Sequence, residues 1–289
     1  MSEVLVATMR LWDRLIVTPI EIFGRTTRFA IDTTFDSIRY IGAIIRLVLE
    51  VVAKLTTGFQ SREGGRLHLA SFVEQMVRFG VRSVPIVLLV QVFIGLILAL
   101  NLAPTLASYG QLERVADVVA LAVFRELGPL ITAVILSGFA GASIAAELGT
   151  MVEGEEIKAL RAHALDPIKF LVIPRIVATT IMMMGLTALA DIAGVIGGLL
   201  TGMFVLDLSY YAYVDATRAA LRLSDYITGL VKGGVFGAVI ASLACYLGLN
   251  VKGGAAGVGD ATTKTVVQSI VALIFADVVF TVIFYVAGI

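Results

Sequence analysis

The stretch that decides the fold is LGPLITAVILSGFAGASIAA, residues 127–146, which lies between Glu126 and Glu147. It holds 20 residues without a charge. An α-helix needs about that number of apolar residues to cross the roughly 30 Å hydrocarbon core of a bilayer. The stretch therefore predicts a transmembrane helix.

Four further charge-poor runs lie on either side of this stretch. They are residues 84–100, 176–206, 233–251 and 265–289. Two of the runs are interrupted by a single acid, Asp191 in the first case and Asp277 in the second. The run that contains Asp191 is too long for one perpendicular span and short for two, so we expect a long, tilted or broken helix. The sequence thus predicts an all-α integral membrane protein with about five transmembrane helices.

The composition supports the same class and excludes several others. Hydrophobic residues make up 58% of the chain and charged residues 15%, against about 45–50% and 25% in soluble domains. The net charge is zero, so no basic field indicates a nucleic-acid partner. The single cysteine, Cys245, and two distant histidines, His68 and His163, exclude an intrachain disulfide and argue against a metal site. We expect no cofactor on this chain.

Residues 1–83 form a region of different character, and residues 84–289 form the transmembrane domain. The first region mixes charged with apolar residues and holds half of the 22 Lys and Arg residues. Helical spacing gives two apolar stripes. They are Leu69, Phe72, Val73, Met76 and Phe79, and Ile41, Ile44, Ile45, Val48, Val52 and Leu55. Such stripes are typical of amphipathic helices in the membrane interface. The alternative for the second stripe is packing on the protein's own helices, and the two arrangements are compatible.

The segment from Glu155 to Leu165 predicts a short charged helix between the second and third spans. It contains only fair-to-good helix formers, with Glu155 and Glu156 at its start and Arg161 later. Asp166-Pro167 is expected to end it, because the residue before proline avoids helical backbone angles. The helix is either a docking element for a partner or an ordinary connection.

Ionisable residues near or within the spans carry the functional signal. Asp277 lies in the middle of the last run, where a charge costs at least about 2.5–3.5 kcal/mol, so it should face protein or a water-filled cavity. Lys232, Arg125 and Glu126 lie near span ends. Their side chains either reach towards the interface or form a functional cluster with Asp277.

Two other patterns bear on function. Gly194, Gly198 and Gly202 repeat every four residues and predict close helix packing, within the chain or across a dimer seam. The glycine-rich segment 254–259 is followed by Asp260 instead of the lysine of a phosphate-binding loop. The chain should therefore not bind ATP through such a loop, and we do not expect it to be an enzyme.

Several ordered motifs give the sequence a family resemblance. They are RELGP at 125–129, GASIAAELGTM at 141–151, EI at 156–157, LDP at 165–167, VIPR at 172–175, GG at 253–254, GVG at 257–259 and TTKTVV at 262–267. Together they resemble the MlaE/YrbE permeases, the membrane subunits of Mce-associated lipid ABC transporters. The resemblance covers residues 70–289 and is looser before residue 60.

The resemblance implies an assembly in the bacterial inner membrane. In such transporters two permeases form a homodimer, and cytoplasmic ABC ATPase subunits, which bind ATP and Mg, drive the cycle. A periplasmic hexamer of Mce-domain proteins caps the outer face. A membrane lipid, expected to be a phospholipid, passes between the permeases.

The resemblance also implies site residues. Arg125, Glu126, Lys232 and Asp277 match charged positions near the lipid cavity. The cavity wall matches Leu98, Leu102, Leu106 and Tyr109, whose spacing also places them on one helical face. The ATPase-coupling helix matches Glu155, Glu156, Ile157, Leu160 and Arg161.

Two other classes of function compete with this one. An ion-coupled secondary transporter could use Asp277 and Lys232 as a relay, but such proteins often have more spans and internal repeats. A membrane scaffold would not need intramembrane charges. The lipid permease is therefore the preferred hypothesis.

The charge distribution predicts the topology. Segments 1–83, 147–175 and 252–264 hold 17 basic residues, whereas the alternate loops hold four. By the positive-inside rule, the N-terminus is cytoplasmic and the C-terminus periplasmic.

Single cysteines at Arg62 and Ile289, in a Cys245→Ala background, should label from opposite faces of the membrane. Labelling of both from one face would contradict five spans.

Overall fold

The computed structural model describes residues 35, 38–54 and 65–288 of the chain. It divides into two compact units, residues 1–50 and 51–289. In the first unit the described residues are helical, and Ile41 and Ile45 of the second predicted stripe are exposed. Leu55 of that stripe lies outside the described residues.

Five helical segments of the second unit are long and apolar enough to cross a membrane. They are Phe72–Ser108 (span 1), Leu112–Glu153 (span 2), Ile168–Phe204 (span 3), Leu223–Leu249 (span 4) and Gly254–Ala287 (span 5). All regular structure in the described residues is helical, so the predicted all-α fold with five spans is confirmed. The spans extend beyond the charge-free runs, and several of the charged residues that they include form ion pairs with other spans.

The spans contain wider and tighter turns as well as regular α-helix. The α-helices are Gly65–Phe79, Val84–Ser108, Val115–Ala122, Gly128–Leu136, Ala142–Glu153, Glu156–Ala162, Ile173–Phe204, Tyr210–Ala220, Leu223–Leu249 and Gly254–Ala287. Three π turns occupy Val123–Leu127, Ser137–Gly141 and Ile168–Val172. Span 3 is one unbroken α-helix after its π turn, so the long-helix alternative is right and the broken helix is wrong.

Successive spans are joined by segments of 3 to 18 residues, which define two ends of the bundle. We call the end with segments 109–111 and 205–222 the A side, and the end with segments 154–167 and 250–253 the B side. Span 3 packs on spans 1, 2 and 4, and span 5 packs on spans 2 and 4. The topology prediction places the A side in the periplasm.

Glycines let the backbones of spans 1 and 3 touch. A Cβ atom built on Gly95 would lie 1.8 Å from the carbonyl oxygen of Gly194, and one built on Gly197 would lie 2.0 Å from that of Val92. Gly198 and Gly202 of the predicted small-residue face instead leave room for the ring of Tyr213. The repeat therefore serves packing within the chain.

The helix Gly65–Phe79 includes the first residues of span 1 and packs against span 3. Gln75 and Phe79 are buried, and Gly80 lies against the side chain of Met182. Val73 of the predicted stripe is 50% exposed, so it lies off the packed face. This helix thus packs on the protein's own span 3, and its predicted place in the membrane interface stays a prediction.

Gly197→Ala should destabilise the protein, because its Cβ would overlap the Val92 carbonyl. We expect a loss of at least about 1–3 kcal/mol, as for overpacked cores, measured by thermal unfolding in detergent. Gly185→Ala is the matched control in the same helix, since no atom lies within 4 Å of its Cβ position. Equal stability of the two variants would contradict the close contact.

Candidate functional site

A buried lysine organises the A-side half of the bundle. Lys232 of span 4 has a side chain only 1% exposed, and its Nζ lies 2.8 Å from Glu126 Oε2 and 3.0 Å from Asp277 Oδ1. The ammonium also lies 3.1 Å from the backbone oxygen of Arg125 and 3.3 Å from Thr281 Oγ1. Its three N–H groups are therefore fully used, and the cation ties spans 2, 4 and 5 together.

Local chemistry in span 2 presents one of these acceptors. In a regular helix the carbonyl of Arg125 would accept from the residue four positions later, but Pro129 has no N–H to donate. The backbone here forms the π turn Val123–Leu127, in which the Gly128 N–H bonds the carbonyl of Val123. The Arg125 carbonyl is then satisfied by Lys232.

Arg125 itself belongs to a second ion pair. Its Nη2 lies 2.5 Å from Oδ1 of Asp225 near the start of span 4, and the two side chains are 43% and 2% exposed. The other oxygen of Asp225 accepts the backbone N–H of Arg222 at 2.8 Å, which caps the helix. The aspartate is therefore fixed by its own helix, and it holds a guanidinium that remains partly exposed.

The structure thus brings together three of the four predicted charges. Glu126, Lys232 and Asp277 form one cluster, and Arg125 pairs with neither Glu126 nor Asp277 but with Asp225. Lys232 does not reach towards the interface, because it is buried. Sequence reasoning missed Asp225, which resembles an ordinary helix-start acid. It also missed Thr281, whose position one turn after Asp277 was the available signal.

The predicted leucines form an apolar wall beside this site. Leu98, Leu102 and Leu106 are partly buried against Ala99, Ala103, Val115, Val119 and Val123. Phe124, the residue before Arg125, packs on the same cluster. Tyr109 is 76% exposed beyond the end of span 1. The three leucines are packed on the chain's own cluster and remain partly exposed.

The predicted coupling residues lie at the other end, on the B side. The helix runs Glu156–Ala162, with Glu156 in its first turn and Arg161 in its last. Ile157 is 7% exposed and anchors the helix to its own chain, while Leu160 is half-buried. Glu155 precedes the helix with a φ of 59°, and a hydrogen bond from Lys158 lowers the pKa of its carboxyl. Glu155, Glu156 and Arg161 form the exposed surface.

The helix ends earlier than the predicted residue 165. Ala164 adopts a φ of 59°, and the N–H groups of Ala164 and Leu165 bond the carbonyls of Arg161 and Leu160. This hydrogen-bond pattern is a helix stop that normally uses glycine, so the prediction that Asp166-Pro167 ends the helix is wrong. Asp166 instead pairs with Lys54. Burial raises the pKa of Asp166, but the bonds from Lys54 and the Ile168 N–H outweigh it and lower the pKa below its ordinary value.

Lys232→Met should strongly destabilise the protein, since it leaves the carboxylates of Glu126 and Asp277 together without their cation. Breaking a buried pair typically costs about 3–5 kcal/mol, measurable by thermal unfolding. Lys264→Met removes an exposed partner of Asp260 in span 5 and should cost under about 1 kcal/mol. A small effect at Lys232 would mean that the cluster does not hold the spans together.

Comparison with known proteins agrees with this architecture. The family model described as Permease MlaE matches residues 72–283. A probable ABC transporter permease protein of Rickettsia felis is 40% identical over 219 residues, covering 76% of this chain and 85% of the relative. One from Synechocystis is 35% identical over 213 residues, covering 74% and 81%. The Arabidopsis thaliana protein TRIGALACTOSYLDIACYLGLYCEROL 1, chloroplastic, is 34% identical over 221 residues, covering 76% and 63%. Since the family model covers the charge cluster and nearly all of the five spans, this multi-pass membrane protein belongs to the MlaE family of ABC transporter permeases.

Proposed function

We propose that this permease moves lipids, expected to be phospholipids, between the inner membrane and an Mce protein assembly. The observation that carries the proposal is the partly exposed guanidinium of Arg125, which follows Phe124, a residue packed on the same apolar cluster as the three leucines. A relative whose printed name contains a glycerolipid, trigalactosyldiacylglycerol, supports the same substrate class. Membership of the ABC permease family sets aside the ion-coupled secondary transporter.

The polar half of the site suits a lipid head group. A guanidinium carries five N–H donors in a fixed fork, which matches phosphate oxygens better than an ammonium does. Asp225 is the only side-chain partner of Arg125 among the described residues, so donors remain for a ligand. The buried carboxylate also orients the fork. Arg125 is therefore both positioned and available.

The apolar half suits acyl chains. Leu98, Leu102 and Leu106 present a continuous surface along span 1, next to Phe124. Burial of apolar surface stabilises a ligand by roughly 25 cal/mol per Å² without directional contacts. We therefore expect weak discrimination between acyl chains and stronger discrimination between head groups.

The proposed assembly follows the same hypothesis. Two copies of the chain enclose the lipid, an Mce-domain hexamer covers the A side in the periplasm, and ABC ATPase subunits bind the B side in the cytoplasm. ATP and Mg belong to those subunits. The exposed surface of the helix Glu156–Ala162, held in place by Ile157, is the proposed docking site.

Changes in the lipid site should separate binding from folding. Leu102→Arg should abolish lipid occupancy of the purified dimer, because it puts a charge in the acyl wall.

Arg125→Ala should reduce lipid transport at least tenfold, whereas Arg218→Ala, in the exposed A-side helix Tyr210–Ala220, should have little effect. Co-purified lipid per folded dimer is measured by mass spectrometry alongside thermal stability. If Arg125→Ala lowers stability and transport in proportion and leaves bound lipid unchanged, Arg125 is structural and the head-group role is wrong.

Charge reversal on the loop helix should uncouple the ATPase. We expect Glu156→Lys combined with Leu160→Asp to weaken co-purification of the ATPase, or to leave ATP hydrolysis without transport. Glu113→Lys, an exposed acid on the A side, is the control and should change neither. The isolated chain should hydrolyse no ATP. Unchanged association and coupled transport in the double variant would refute the docking role.

A further inference from the structure

A second buried acid lies outside the charge cluster. Asp191, in the middle of span 3, is 0% exposed. Neither of its carboxyl oxygens has a hydrogen-bond partner among the described residues. A buried polar group without a partner is rare in proteins and needs an explanation.

The surroundings of Asp191 supply acceptors in place of donors. Its Oδ1 lies 1.8 Å from the position that a Cβ on Gly128 would take, so the carboxyl rests on the backbone of span 2. Gln91 of span 1, also 0% exposed, bonds the carbonyls of Leu127 and Gly128 through Nε2, both at 3.2 Å. Its Oε1 has no partner in the described part of the chain. The three unpartnered oxygens therefore belong to two side chains, Asp191 and Gln91, that contact the same glycine.

No charge of the neighbouring helices compensates an ionised Asp191. Span 1 has no ionisable residue between Val84 and Ser108. Arg125 is paired with Asp225, and Lys232 with Glu126 and Asp277. In the helix Gly65–Phe79, which also packs on span 3, Arg78 is paired with Glu147. The helix Tyr210–Ala220 also packs on span 3, and its one basic residue, Arg218, is exposed. Among the described residues no donor bonds either oxygen of the Asp191 carboxylate.

We propose that Asp191 is a proton-binding site, occupied at neutral pH, at the junction of spans 1, 2 and 3. A proton turns one of the unpartnered acceptors into a donor and removes the uncompensated charge, which is the usual outcome for a buried acid without a partner. A metal cation is the other ligand that could balance the charge. It would need a shell of several oxygens, but the carbonyls of Leu127 and Gly128 are already bonded by Gln91.

The close packing of spans 1, 2 and 3 requires the proton on Asp191. Backbone contacts at Gly95 and Gly197 hold span 1 against span 3, and Gly128 admits the carboxyl from span 2. Loss of the proton would place a bare charge in this contact, so the junction must open or be hydrated for Asp191 to ionise. The protein is therefore expected to lose stability as the pH rises and the proton leaves.

Infrared spectroscopy of the full-length chain in lipid nanodiscs tests the proposal, with aspartate labelled by ¹³C at its side-chain carboxyl. At pH 7 we expect the C=O band of a carboxylic acid that shifts with the label. The band should vanish in Asp191→Asn and persist in Asp260→Asn, which changes an exposed acid. The thermal midpoint of the wild type should fall at alkaline pH, and that of Asp191→Asn should fall less.

Two results would overturn the proposal. The first is a labelled wild-type protein with no carboxylic acid band, an outcome that needs no variant to fold. The second is a thermal midpoint that rises with added Na⁺ or K⁺ in the wild type but not in Asp191→Asn, which would identify a cation site. If Asp191→Asn does not fold, Asp191→Glu replaces it, and its band should become insensitive to the aspartate label.

Discussion

The A-side half of the structure depends on one buried cation. An ammonium in the apolar interior is tolerable only when oxygens surround it, and Lys232 of span 4 collects its oxygens from spans 2 and 5. Each of those spans in turn carries a group that would be costly in lipid without the lysine. The lysine also completes the hydrogen bonding of the π turn. Pro129 leaves the Arg125 carbonyl without a donor from the helix, and Lys232 supplies one. The contacts of Lys232 thus neutralise the buried charges, satisfy the carbonyl at the π turn and hold spans 2, 4 and 5 together.

The bundle combines parts of very different packing density. Spans 1 and 3 touch through their backbones at Gly95 and Gly197, which leaves little freedom for sliding. Span 5 buries only a few residues of its B-side half and is joined to the A-side half through Asp277 and Thr281. Its outer surface carries large apolar side chains, such as Phe275 at 72% exposure. Spans 1 and 3 are thus closely packed, whereas span 5 buries few residues, and the charge cluster joins span 5 to spans 2 and 4.

The sequence predicted the membrane spans, but it did not predict which side chains would pair between helices. Five spans followed from charge-free runs because a bilayer requires both length and apolarity. The motif at 125–129 identified the right segment of span 2. The choice of Asp225 as the partner of Arg125 depends on the packing of spans 2 and 4, and no local pattern encodes it. The early end of the loop helix was equally hidden, because an alanine at position 164 adopts a backbone angle that normally indicates glycine. Asp191 was visible only as an interruption, although its burial gives it the most unusual environment of any acid described.

The π turns have a consequence for how span 2 can vary. Each π turn accommodates one extra residue, so residues on its two sides are out of phase by about 100° relative to a regular helix. Span 2 contains two such turns, at Val123–Leu127 and Ser137–Gly141. Glu126 and Glu147 therefore owe their bearings around the helix axis to an inserted residue, as well as to their spacing. A deletion of one residue in either turn would remove the extra residue and rotate everything beyond it by about 100° towards a different neighbour. In span 2, an insertion or deletion of one residue would therefore change which helix each later side chain contacts.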